Sequence, residues 1–152
     1  MAVEQGQQAP DFDLVVTRDE RVTLSQFRGE KNVLLVFHPL AFTGICEAEA
    51  CELQDNLGRY RSADTEVIFV SCDPWPACQA WKRELGADYV FASDFWPHGA
   101  VAKAYGVFDE GSGLSIRGTF LIGKDGIVKW ALVNAIPERR EGLVEESLAA
   151  AG

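Results

Sequence analysis

Val33-Leu34-Leu35-Val36-Phe37-His38-Pro39-Leu40-Ala41-Phe42-Thr43-Gly44-Ile45-Cys46, the opening of the segment that runs on to Val67-Ile68-Phe69-Val70, decides the fold. The two ends of that segment, Val33–Phe37 and Val67–Val70, are continuous apolar runs of strand length, rich in β-branched and aromatic residues. This is the composition of strands covered on both faces. Between them Cys46, Ala50, Leu53 and Leu57 recur at i, i+4, i+7 and i+11, a spacing that stacks side chains on one helix face. A helix over Thr43–Tyr60 and a strand, helix, strand unit are expected.

Working outward, Pro76–Leu85 fits a second helix, with Pro76 in the first turn and Cys78, Trp81 and Leu85 sharing a face. A third helix is expected over Gly99–Tyr105. Thr119–Ile122 and Ile127–Val133 pattern as antiparallel strands joined through Lys124-Asp125-Gly126, since Asp-Gly tolerates the positive φ of a tight hairpin. A terminal helix is expected from about Pro137 through Leu148. These elements imply an α/β fold, a mixed central sheet with helices on both faces.

The chain has 152 residues, 47% hydrophobic and 24% charged, and no repeat or linker-like tract interrupts it. One domain spanning 1–152 is expected. Fourteen Lys and Arg against 23 Asp and Glu leave a formal charge of -9, a field that repels phosphate backbones and anionic lipid. Neither nucleic acid nor membrane is an expected partner. The first ten residues hold no basic stretch or apolar core, and no run approaches the ~20 apolar residues that cross a bilayer. The expected address is cytoplasmic. Four cysteines are too few for a disulfide scaffold, so each needs its own explanation.

Cys46 lies where the first strand's connection becomes a helix, and the carboxyl ends of strands are where α/β sheets build sites. The first amides of a helix lack intrahelical acceptors and favour a thiolate over a thiol. Glu47, Glu49, Glu52 and Asp55 on the same helix oppose ionisation. A cation from elsewhere in the chain is needed.

Pro39 to Cys46 has the form P-x-x-x-T-x-x-C, which resembles the active-site signature of the peroxiredoxins. A chance match to three fixed positions in a chain this long is on the order of a per cent. The resemblance extends from Ala9-Pro10-Asp11-Phe12 through Ser93–Ala100 and Ala104–Phe108 to Arg117-Gly118-Thr119-Phe120. The middle and C-terminal stretches are most similar to the AhpE type, whereas Cys46 and Cys51 have the C-x4-C spacing of the bacterioferritin-comigratory-protein (PrxQ) type. The resemblance implies a thioredoxin-like fold and thiol-dependent reduction of hydroperoxides without any cofactor. It assigns Cys46 as the attacking thiol and Pro39 as its shield from water. Thr43 offers its hydroxyl to sulfur and peroxide, Arg117 is the missing cation, and Glu49 orients that arginine. Cys51 is the implied resolving cysteine. Thioredoxin, mycoredoxin or a low-molecular-weight thiol is the implied reductant, and a homodimer is implied near Trp96-Pro97-His98.

Blander alternatives stand beside each assignment. Cys46 is otherwise a helix-face cysteine packed as a small hydrophobe, Thr43 a helix N-cap, and Glu49 a first-turn acid complementing the helix dipole. Cys72 falls in register with Ile68 and Val70 and is expected in the core. Cys78 is also expected in the core, with a resolving role as the alternative. His38 and His98 have no company at metal-ligand spacing. A thioredoxin-like disulfide oxidoreductase would want C-x-x-C, but Glu49 stands three residues after Cys46. The remaining alternative is a non-catalytic module binding zinc through the four cysteines.

Overall fold

The computed structural model describes residues 1–152. Its strands are β1 (Asp13–Thr17), β2 (Glu20–Thr23), β3 (Asn32–Phe37), β4 (Thr65–Ser71), β5 (Val90–Ser93), β6 (Phe108–Asp109), β7 (Leu114–Ser115), β8 (Arg117–Ile122) and β9 (Val128–Asn134). Its helices are α1 (Gly44–Asp55), α2 (Leu57–Ser62), α3 (Trp75–Leu85), α4 (Ala100–Ala104) and α5 (Leu143–Ala151). Seven strands form one sheet in the order β2-β1-β5-β4-β3-β8-β9, and β6 pairs with β7 apart from it. β3, β4 and β5 run parallel, while β8 and β1 flank them antiparallel. This mixed sheet is the thioredoxin-like architecture that the resemblance implied.

The apolar runs that opened the argument lie at the centre of the sheet because they are covered twice. All six residues of β3 are buried. Leu34, Val36, Val67 and Phe69 pack with Leu53 of α1, Trp81 of α3 and Leu143 of α5. The alternate residues Leu35, Phe37, Ile68 and Val70 pack on the other face with Ala102 of α4, Tyr105 and Phe120. A strand that serves two cores has little room for polar side chains, and the one in β3, Asn32 at its start, donates to Ala63 O at 3.3 Å.

The hairpin between β8 and β9 turns at Gly126, whose φ is +82° as the Asp-Gly pair requires. Two helix expectations need correction. Thr43–Tyr60 is not one helix: it breaks at Asn56, which ends α1. Asn56 Nδ2 donates to Glu52 O at 2.8 Å, taking the carbonyl that the next helical bond needs, and the Asn56 amide turns to Leu53 O at 3.2 Å. A side chain thus competes with the backbone for its own helix. The terminal helix begins at Leu143 rather than near Pro137. Residues 135–142 form a loop instead, because Arg140 is drawn inward by a buried carboxylate, and Gly142 (φ +73°) resets the direction before α5.

Candidate active site

Helices α1 and α3 leave the carboxyl ends of the adjacent parallel strands β3 and β4, and Cys46 is the third residue of α1. Its side chain is fully buried and unpaired with any other cysteine. The loop from β3 brings Pro39, which is buried, and Thr43, which is half-buried, up to the start of the helix. Thr43 has the extended backbone of an N-cap, but its hydroxyl makes no capping bond and donates instead to Leu40 O at 2.7 Å. The hydroxyl oxygen therefore keeps its accepting lone pairs. Phe42, between them, holds φ at +64° with its ring 5.9 Å from that of Trp81. A left-handed aromatic residue costs on the order of 1–3 kcal/mol and persists only where its surroundings fix it.

The cation demanded by the acidic helix comes from β8. Pairing of β3 with β8 in the register Val36 to Thr119 places Arg117 beside the exit of β3. Arg117 Nη1 lies 3.4 Å from Cys46 Sγ and 2.7 Å from Glu49 Oε1, while its Nε donates to Ile136 O at 2.7 Å. The guanidinium is thus held at both ends, with one edge aimed at sulfur. Glu49 is completely buried.

A second arginine, not anticipated from the sequence, completes the cluster. Arg140 Nη1 donates to Glu49 Oε1 at 2.6 Å and its backbone amide to Glu49 Oε2 at 2.9 Å; its Nη2 reaches Phe37 O. Burial lowers its pKa to about 10, an effect that Glu49 opposes and Arg117 reinforces. A signal for it existed: Glu49 stands three residues after Cys46 and four before Leu53, at the edge of the buried helix face, and a fully desolvated acid needs more than one donor. Removing Glu49 from such a buried cluster would cost about 3–5 kcal/mol, because the two arginines left behind would have no counter-charge.

A depression of about 330 Å³ opens above the cluster, lined by Pro39, Leu40, Thr43, Ile45, Leu114 and Arg117 among others. The polar groups, Thr43 and Arg117, share it with apolar walls. The structure therefore brings together five of the expected residues: Pro39, Thr43, Cys46, Glu49 and Arg117. Cys51 stands apart from them, exposed and five residues further along α1. Five helical residues separate Cα atoms by at least about 7.5 Å along the axis and turn about 140°, beyond the roughly 4.4–6.8 Å that a disulfide spans. Cys72 and Cys78 are buried, and burial raises their thiols to about 12 and about 11. No group of three or more His, Cys, Asp or Glu side chains is arranged to hold a metal ion.

Comparison with known proteins identifies the family of the chain. Residues 5–131 match the family model described as AhpC/TSA. The chain is 45% identical over 136 residues to alkyl hydroperoxide reductase E of Mycobacterium tuberculosis, covering 90% of this chain and 89% of that protein. Among solved structures, it is similar to the reduced 2-Cys peroxiredoxin of Plasmodium vivax, with a TM-score of 0.86 and 31% identity over 98% of this chain and 80% of that one. It is equally similar to peroxidoxin BcpB of Mycobacterium tuberculosis, with a TM-score of 0.86 and 26% identity over 97% and 96% of the two chains. The chain belongs to the AhpC/TSA family of peroxiredoxins, enzymes that reduce hydroperoxides with a cysteine thiol.

Proposed function

We propose that Cys46 is the peroxidatic nucleophile of this chain and that the cluster around it is built to place negative charge on its sulfur. One observation carries the reading: a guanidinium 3.4 Å from a fully buried thiol, locked by a buried carboxylate. Glu49 alone leaves Arg117 and Arg140 with an excess positive charge, and a thiolate at Cys46 balances it. The thiolate attacks the distal oxygen of a hydrogen peroxide or organic hydroperoxide molecule, and the O–O bond breaks. Cys46 is left as a sulfenic acid, and the departing oxygen takes a proton to leave as water or an alcohol.

Arg117 stabilises the charge that develops along the breaking bond. Thr43 Oγ1, whose own proton is engaged by Leu40 O, accepts the hydrogen bond of the incoming peroxide. Pro39 walls the sulfur from bulk water, and Glu49 holds Arg117 in aim. Cys51 then condenses with the sulfenic acid, releasing water and forming a disulfide, which requires α1 to open at its first turns. Opening near a helix start is cheap compared with global unfolding. A dithiol protein such as thioredoxin or mycoredoxin, or a small thiol, returns the enzyme to its reduced state. The working form is a cytoplasmic homodimer whose protomers each function as one unit over residues 1–152.

The test is stopped-flow oxidation with hydrogen peroxide and with an organic hydroperoxide, followed by peptide mapping. Wild type should consume one equivalent and yield a 46 to 51 link, Cys46→Ser should be inert, and Cys51→Ser should stop at sulfenic acid. Peroxide consumption by Cys46→Ser would sink the reading. A 46 to 78 link would move the resolving role to Cys78. Undiminished turnover of Cys51→Ser with an external thiol, with no link in wild type, would make this a one-cysteine enzyme.

A further inference from the structure

The loop Pro39–Thr43 carries two of the groups that surround Cys46, yet it is almost free of hydrogen bonds to the rest of the protein. Thr43 O receives Glu47 N at 2.8 Å from the helix it begins, and the Thr43 hydroxyl returns to Leu40 within the loop. The one hydrogen bond that ties the loop to a different element runs from Ala41 N to Asp73 Oδ2, at 2.9 Å. Asp73 lies in the connection between β4 and α3 and is itself firmly seated. Ser71 Oγ donates to the same Oδ2 at 2.6 Å, and the Asp73 carbonyl accepts from Ser93 Oγ at 2.5 Å. Ser71 and Ser93 are paired residues at the ends of the parallel strands β4 and β5. The anchor is therefore the sheet itself.

Ala41 is flanked by Phe42 in its left-handed conformation and sits between Pro39 and Thr43. A strained loop holds one geometry only while something outside it fixes that geometry. The Phe42 ring resting near Trp81 is non-directional, so the directional restraint is the Asp73 carboxylate. We infer that Asp73 is a positioning residue for peroxide reduction: by fixing the Ala41 amide it sets where Pro39 and Thr43 stand relative to Cys46 and Arg117. It touches neither substrate nor sulfur. The inference rests on the functional assignment of Cys46 and Thr43 made above.

The test compares two reactions of Cys46 in the full-length reduced protein. Peroxide oxidation needs Thr43 and Pro39 in place, whereas alkylation by iodoacetamide needs only a reactive sulfur. Misplacement of a reacting group by about 1 Å can cost up to 100-fold, so Asp73→Ala should lower the peroxide rate constant about tenfold or more while alkylation stays level or rises. Asp73→Asn keeps a carbonyl that the Ala41 amide can reach and should return the peroxide rate to within about threefold of wild type. In a Thr43→Val background, Asp73→Ala should lower the rate by less than it does in wild type, because part of its effect passes through Thr43. Asp73→Ser keeps a hydroxyl partner for Ser71 while falling short of Ala41, and serves if the alanine variant does not fold. Equal falls in both reactions, an unchanged peroxide rate in Asp73→Ala, or loss of fold in both the alanine and serine variants would each overturn the inference. Absence of peroxide reduction in wild type would instead overturn the assignment of Cys46.

Discussion

Two strand-to-helix junctions lie side by side in this molecule, and both bury a cysteine in the first turns of the helix. At the β3–α1 junction the cysteine is Cys46; at the β4–α3 junction it is Cys78, with Cys72 just before it. Each helix offers first-turn amides and a partial positive end, with one amide fewer in α3, where Pro76 has no N–H. What differs is the company. Cys46 has Arg117 Nη1 at 3.4 Å. Cys78 has only neutral or acidic neighbours: Ser71 Oγ at 3.8 Å, Asp73 O at 3.6 Å and Ala92 O at 3.9 Å. Burial with no cation keeps Cys78 a thiol, raised to about 11. In the function proposed above, what separates Cys46 from Cys78 is the arginine carried by β8, the antiparallel strand that lies beside β3 and not beside β4.

The sharpest way to break the contrast is to remove the cation. Arg117→Ala should turn the first junction into a copy of the second and lower the peroxide rate constant by roughly 100- to 1000-fold, the usual loss when one donor to developing charge is deleted. Circular dichroism should show the fold retained, and rapid-mixing oxidation measures the rate. A variant within about fivefold of wild type would show that the helix start suffices and that the contrast has another origin.

That contrast was only partly legible in the sequence. Val33–Phe37 and Val67–Val70 announced the central strands because burial on both faces leaves no polar position to confuse the pattern. Cys46 announced itself by position, and the acidic helix behind it required a cation that only the resemblance could locate at Arg117. Arg140 stayed hidden because Pro137-Glu138-Arg139-Arg140-Glu141-Gly142 has the polar composition of a helix start, and nothing local says that one of its two arginines turns inward. Strand β1, which lies between β2 and β5, is less plain in the sequence because it is short, although Phe12, Leu14 and Val16 alternate and all three are buried. Asn56 broke a helix through a side-chain bond, which periodicity does not register.

His38 sits at the seam between the two junctions, and it sharpens the comparison through pH. Its ring stacks on Phe69 at 3.9 Å and lies 5.4 Å from Trp81 of α3, and its Nδ1 has no partner. Burial, then Arg140 and Arg117, push its pKa well below 6.5. The unfolded chain takes up this proton near pH 6.5 while the folded chain refuses it. Stability from this group is complete above about pH 6.5 and falls as the pH drops, by up to about 1.4 kcal/mol per unit, until the folded pKa is reached. His38→Phe keeps a ring against Phe69 and should flatten the slope of stability between pH 6.5 and 5, measured by urea unfolding. An unchanged slope would place the acid sensitivity elsewhere.

The smallest expected effect belongs to Cys78. Its three sulfur contacts contribute little as hydrogen bonds, because a thiol is a weak donor and a weak acceptor. What Cys78 supplies is volume beneath Trp81, in the cluster that also holds Phe69 and Phe91. Cys78→Ala removes one buried sulfur and should cost about 1 kcal/mol of stability, the size of a small cavity. The rate of peroxide reaction at Cys46 should stay within about twofold, because Asp73, Ser71 and the Ala41 amide keep their bonds to one another without the thiol. Alkylation of the reduced wild type near pH 8 should modify Cys46 and exposed Cys51 while sparing Cys78, whose proton at about 11 is not released there. A large loss of peroxide rate in Cys78→Ala, or ready alkylation of Cys78, would mean that the two junctions are chemically alike and that Arg117 is not what separates them.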